Sequence, residues 1–185
     1  MDPHLSAEAV ALLESWCPPT ASQQSSTQAY LAYLEARPDA WSRECQPGHL
    51  TASAMIFAAD LSQVALVLHG ILGIWVQPGG HLEPSDADLL TAARREVREE
   101  LGIEVDLDPD PVTLDCHRVT CRGYPRPTRH FDIRFVGRAA PGATLACSDE
   151  SDQVAWWPLS ALPEGLHPDI VELIGAGSAR LTEDA

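Results

Sequence analysis

One stretch constrains this chain more than any other. It runs from Gly79-Gly80-His81-Leu82-Glu83 to Arg95-Glu96-Val97-Arg98-Glu99-Glu100-Leu101-Gly102-Ile103. A run with strand character, Leu72 to Val76, leads into the glycine pair, and a Glu-Pro-Ser-Asp turn follows. Ser85 or Asp86 is placed to cap the next helix, and Asp86 and Asp88 suit the positive end of its dipole. At about 100° per residue, Leu90, Ala93, Val97 and Leu101 share one helix face. Glu96, Glu99 and Glu100 fall on an adjacent face, because positions three and four apart are neighbours. Gly102 supplies the left-handed residue that ends the helix. Three carboxylates so placed repel one another, and no lysine lies near them. They either point into water or hold a hard divalent cation, which takes oxygen ligands and pairs with a phosphate-bearing substrate.

The same residues carry a family resemblance. Gly80, followed by Arg95-Glu96-Val97-x-Glu99-Glu100-x-Gly102-Ile103, resembles the Nudix box, G-x5-E-x7-R-E-U-x-E-E-x-G-U with U aliphatic. The second half matches at every defined position. In the first half the acidic position is Asp86 in place of Glu, and the gap from Asp86 to Arg95 is one residue longer than in the motif. One extra residue in the turn before the helix accounts for both departures without moving the glutamates. The resemblance implies an α/β fold, a Nudix-type α/β/α sandwich with a mixed sheet. It also implies Mg²⁺- or Mn²⁺-dependent cleavage of a diphosphate linkage in a nucleoside-diphosphate-like or other organic diphosphate. Two alternatives stay open: a Nudix-like domain that senses a nucleotide without cutting it, and an isoprenoid-diphosphate isomerase, which would need an active-site cysteine on a motif this sequence lacks. The expected metal ligands are Gly80, through its carbonyl, with Glu96, Glu99 and Glu100. Glu99 and Glu100 are also the catalytic carboxylates, and Arg95 orients the cluster. Nudix enzymes often draw a further acidic residue from a late loop, and Glu150 is the choice here.

Charge limits the partners. The chain has 185 residues and a formal charge of -15. That disfavours duplex nucleic acid, whose phosphates reward clustered cations. No Lys occurs, so every fixed cation is Arg. Arg118, Arg122, Arg126, Arg129, Arg134 and Arg138 crowd one predicted hairpin, half of the 12 cations. Arg122 and Arg126, at its tip, are the expected contacts to an anionic group of the substrate. His81, directly after Gly80, is a third expected substrate contact; His49 and His69 read as structural histidines. The five cysteines are scattered, and the absence of paired C-x-x-C motifs argues against a structural zinc site. Free thiols in a reducing cytosol are expected, without signal peptide or membrane span.

Two regions are expected, a helical extension over residues 1–47 and a catalytic domain over 48–185. In the extension, Ala7 to Glu14 forms a short helix stopped by Pro18-Pro19. Ala21 to Ser26 reads as a polar connector, and Ser26 caps a second helix that ends before Pro38. Leu13, Trp16, Tyr30, Leu34 and Trp41 pack on the main domain or on a partner chain, so a homodimer is one assembly open to it. In the domain, Thr51 to Ala58 and Gln63 to Leu68 are strands, with a short strand at Ile103 to Leu107. Val112 to Thr120 and Arg129 to Gly137 form a hairpin. Phe131, Ile133 and Phe135 alternate with His130, Asp132 and Arg134 as in a half-buried strand. A strand-like Val154 to Pro158, a short helix over Asp169 to Gly175 and a loose tail complete the reading.

Overall fold

A computed structural model of the chain describes residues 4–70, 73–121, 127–146 and 153–183. Two helices, α1 (His4–Ser15) and α2 (Ala21–Ala36), precede the sheet. The strands are β1 (His49–Phe57), β2 (Gln63–His69), β3 (Ile74–Val76), β4 (Gly79–His81), β5 (Thr113–Val119), β6 (Thr128–Arg138) and β7 (Gln153–Pro158). Helix α3 (Leu89–Leu101) lies between β4 and β5, and α4 (Pro168–Glu183) closes the chain. The seven strands form one mixed sheet in the order β3-β2-β1-β6-β5, with β4 on β1 and β7 on β2. Among the described residues only the β1–β6 pairing is parallel; the others are antiparallel.

Alternation in β1 and β6 divides the molecule into layers. Leu50, Ala52, Ala54 and Ile56, with Ile133 and Phe135, face one side and share a core with α1, α2 and α3. Met55, Phe57 and Val136 face the other side and pack on Ile170, Leu173 and Ile174 of α4. The expected α/β/α sandwich with preceding helices is therefore present. Leu5, Leu13, Trp16, Tyr30, Leu34 and Trp41 are all buried in the first core, so the apolar faces of the extension are spent within the chain.

Several elements differ from expectation. The polar connector is the first half of α2, and the cap is Thr20, whose side chain accepts from the Gln23 N–H; Ser26 lies inside the helix. The glycine pair lies within β4 and not in a loop, paired with Ala52 and Ser53 of β1. Asp88 caps α3 in place of Ser85 or Asp86, while Gly102 (φ 68°) ends it as expected. Residues 103–107 make only an isolated bridge, Leu107 to Gly137, where a strand was expected. The closing helix runs on to Glu183, through the segment expected to be loose. The β5–β6 hairpin is present in antiparallel register. β6 is buried on both faces, however, with Asp132 and Arg134 only 3% and 2% exposed.

Candidate active site and a histidine–cysteine cluster

The turn after β4 builds around Asp86. Its carboxylate accepts from the Glu83 N–H at 2.7 Å and takes both Nε and Nη2 of Arg95 at 3.0 Å. With Asp88 caught by the Thr91 N–H, the extra residue before the helix is absorbed in this turn. Asp86 is thus the partner of the box arginine. Arg95 then bridges the cluster: Nη1 donates to Glu96 Oε1 at 2.8 Å and Glu99 Oε2 at 3.1 Å, and Nη2 to the His81 carbonyl at 2.9 Å. Every N–H of that guanidinium has an acceptor on β4, in this turn or on the helix.

β4 presents its three residues to opposite sides. Gly80 faces α3 so closely that a Cβ there would lie 2.6 Å from Glu96 Oε1. The N–H of Gly79 donates to Glu100 Oε2 at 2.9 Å. The structure therefore gathers Gly80, Arg95, Glu96, Glu99 and Glu100 in one place. Burial pushes the Glu96 carboxyl up to about 7, against the pull of Arg95. Three carboxylates, from Asp86, Glu96 and Glu99, bind one guanidinium, and Glu100 is held beside them on the Gly79 N–H, so the site carries excess negative charge. A divalent cation fits that imbalance. Arg122, Arg126 and Glu150 lie outside the described residues.

The other hairpin arginines do not act as a group. Arg134 is buried and binds Asp132 at 2.8 Å, Asp115 at 3.1 Å and Asp169 at 2.7 Å. Arg138 donates to the Leu181 carbonyl of α4. Arg118 and Arg129 are exposed. Asp132 also accepts from Thr51 and Ser53 of β1, at 2.9 and 2.8 Å. Sequence alternation assigned these residues to solvent; the signal that they are buried lies in α4, distant in sequence.

His81 points away from the glutamates, to the face of Thr51. There it meets His49, Cys121 and His130, and the potential ligand atoms of all four lie within 4.8 Å of one another. His49 and His81 bring Nε2 atoms to 3.2 Å. The Cys121 sulfur lies 3.5 Å from His49 Nε2, 3.6 Å from His81 Nε2 and 3.2 Å from His130 Nε2. Burial lowers all three imidazoles, His81 to about 4 and His130 to about 3, with neighbouring histidines adding to it for those two, so they are neutral at pH 7. Motif spacing could not show this convergence, because the residues are contributed by four separate segments.

The NUDIX domain profile matches residues 47–175. The chain belongs to the NUDIX family. The expected class, a Nudix hydrolase acting on a phosphoanhydride bond, stands with that membership. Solved structures share the fold at low identity. A NUDIX-family hydrolase from Clostridium perfringens is 21% identical, with 72% of this chain and 97% of that one covered and a TM-score of 0.55. A C. elegans Ap4A hydrolase binary complex is 19% identical, covering 72% and 98%, with a TM-score of 0.56. The E. coli dihydroneopterin triphosphate pyrophosphohydrolase is 19% identical, covering 71% and 95%, with a TM-score of 0.58. No curated protein matches the chain.

Proposed function

We propose that this NUDIX protein is a Mg²⁺- or Mn²⁺-dependent pyrophosphohydrolase, cleaving a diphosphate linkage in a nucleoside-diphosphate-like or other organic diphosphate. The observation that carries this reading is the pair Glu96 and Glu99 held on Arg95, with Glu100 on the Gly79 N–H and Gly80 closed against Glu96. Gly80, Glu96, Glu99 and Glu100 would hold the cation, which when bound would neutralise diphosphate charge and polarise a phosphorus–oxygen bond. The remaining work falls to the chain. Arg95 and Asp86 keep the carboxylates in position. Glu99, Glu100 or the late-loop Glu150 takes the proton from the attacking water. Arg122 and Arg126 receive an anionic part of the substrate. The structural neighbours named for Ap4A and for dihydroneopterin triphosphate support the substrate class without choosing within it. The four described cysteines carry free thiols, which supports a cytoplasmic setting. Among the described residues no helix is long and apolar enough to cross a membrane.

The test is release of phosphate or nucleoside monophosphate from a panel of nucleoside di- and triphosphates, dinucleotides, sugar nucleotides and prenyl diphosphates, with and without Mg²⁺. Glu100→Gln should stay folded and lose about a hundredfold or more in kcat on the best substrate, since a neutral amide cannot replace an anionic ligand or base. Near-wild-type turnover by this variant at saturating Mg²⁺ would remove Glu100 from the site. No metal-dependent product from any substrate would overturn the hydrolase reading.

A further inference from the structure

We propose that His49, His81, Cys121 and His130 form a structural zinc site, separate from the glutamate cluster and set on the opposite side of β4. A tetrahedral zinc ion with Zn–N of about 2.0–2.1 Å and Zn–S of about 2.3 Å has N···N edges of about 3.3 Å and N···S edges of about 3.6 Å. Four of the six observed edges are 3.2 Å for His49 to His81, and 3.5, 3.6 and 3.2 Å from the Cys121 sulfur to the three imidazoles, and all the ligand atoms lie within 4.8 Å of one another. Hydrogen bonding would hold the four only weakly: the thiol has one proton to donate and its sulfur is a poor acceptor, yet three Nε2 atoms surround it.

The donor set selects the metal. Three imidazoles and one thiol, with no carboxylate among them, suit zinc rather than the oxygen-seeking Mg²⁺. The Nδ1 of His49 lies 3.2 Å from the Cys45 carbonyl, so a proton held there leaves Nε2 as a lone pair facing the cluster. His49 is fully buried and Cys121 is 5% exposed, so the ligands are already withdrawn from water. Binding Zn²⁺ forms a Zn–S bond and releases the Cys121 proton to solvent, leaving the three neutral histidines unchanged in charge. Four protein ligands close the tetrahedron, which makes the site structural rather than catalytic.

The ligands also explain what such a site would do. His49 begins β1, His81 ends β4, Cys121 follows β5 and His130 lies near the start of β6. One ion would tie four strands at the same end of the sheet. It would fix β4, whose Gly79 and Gly80 meet Glu100 and Glu96 on the other side. The acidic site and the zinc would thus share one short strand and no ligand.

The test reads metal directly and needs no substrate. The full chain, loaded with zinc and desalted, should retain about one equivalent per chain by elemental analysis. Replacement by Co²⁺ should give a strong tetrahedral visible spectrum and a near-ultraviolet thiolate-to-cobalt band. Chelation should lower the melting temperature, and added zinc should restore it. Cys121→Ser and His130→Ala should lose the thiolate band and most of the zinc, respectively. Glu99→Gln and Glu100→Gln should keep both, which separates this site from the proposed catalytic one. A wild-type chain that retains no zinc, a cobalt complex with the weak spectrum of octahedral coordination, or a Cys121→Ser variant with an unchanged cobalt spectrum would each overturn the proposal. The wild-type measurements decide the matter even where a variant fails to fold.

Discussion

A methyl group at position 80 would meet Glu96 Oε1 at 2.6 Å. That oxygen cannot swing clear without leaving Arg95, which holds it at 2.8 Å. Gly80→Ala should therefore leave the sheet intact and displace one carboxylate. The expected outcome is a kcat lower by about tenfold to a hundredfold, with a higher Mg²⁺ requirement, since misplacement of about 1 Å can cost that much. Steady-state kinetics across a Mg²⁺ titration, beside an unchanged circular dichroism spectrum, checks it; unchanged constants would mean that the Gly80–Glu96 contact has no part in turnover. At this scale the sequence was informative where chemistry repeats along a helix. Glu96, Glu99, Glu100 and Arg95 come together because helix geometry alone places them. It was silent on Arg134, whose partners Asp115, Asp132 and Asp169 come from three elements, and on the meeting of three histidines with Cys121.

Helix α2 shows how an element absent from the expected reading in its first half comes to be held. β5 is a sheet edge, and an uncovered edge exposes unpaired backbone groups. The side chain of Gln23 accepts from the Leu114 N–H at 2.7 Å and donates to the Leu114 carbonyl at 3.2 Å. Tyr30 adds its hydroxyl to the Asp115 carbonyl at 2.6 Å. One glutamine thus takes the place of a neighbouring strand. Gln23→Ala should cost about 1–3 kcal/mol by leaving buried groups without partners. Gln23→Glu should recover only part of that, because a carboxylate cannot donate to the Leu114 carbonyl. Urea unfolding of the three proteins checks the order; equal midpoints would show that the edge does not need this contact. The polar composition of residues 21–26 concealed the helix, since its buried face carries Gln23 and Thr27 beside Tyr30 and Leu34. The glycines of α4 concealed that helix in the same way. Gly177 is required by packing: a Cβ there would lie 2.9 Å from both Phe57 and Val136. The β5–β6 hairpin was legible because strand alternation needs only local sequence.

The whole molecule is a sheet between two helical layers, and its second layer is fastened by charge as well as by apolar contact. Near the start of α4, Asp169 binds the buried Arg134 at 2.7 Å, while Ile170, Leu173 and Ile174 pack on the sheet. The two-layer plan follows from the family motif and the strand pattern, but this polar link could not, because it joins residues 35 apart in sequence. Burial works against ionisation of Asp169; the bond to Arg134 and its positive charge overcome it, so the carboxyl is held below its ordinary value. A depressed carboxylate adds stability that is fully present above its unfolded pKa, near 3.9, and is lost as pH falls through the lower folded value. Asp169→Asn keeps the shape and removes the charge. At neutral pH it should lower stability by about 1.5–3 kcal/mol, the range for a hydrogen bond to a charged group. The difference from wild type should shrink as pH falls below about 4 and the wild-type carboxyl takes up its proton. Thermal or urea unfolding of both proteins at stepped pH measures this. A gap between the two that is the same at pH 3 as at pH 7 would show that Asp169 holds α4 through shape alone, and that its charge contributes nothing to closing the second layer.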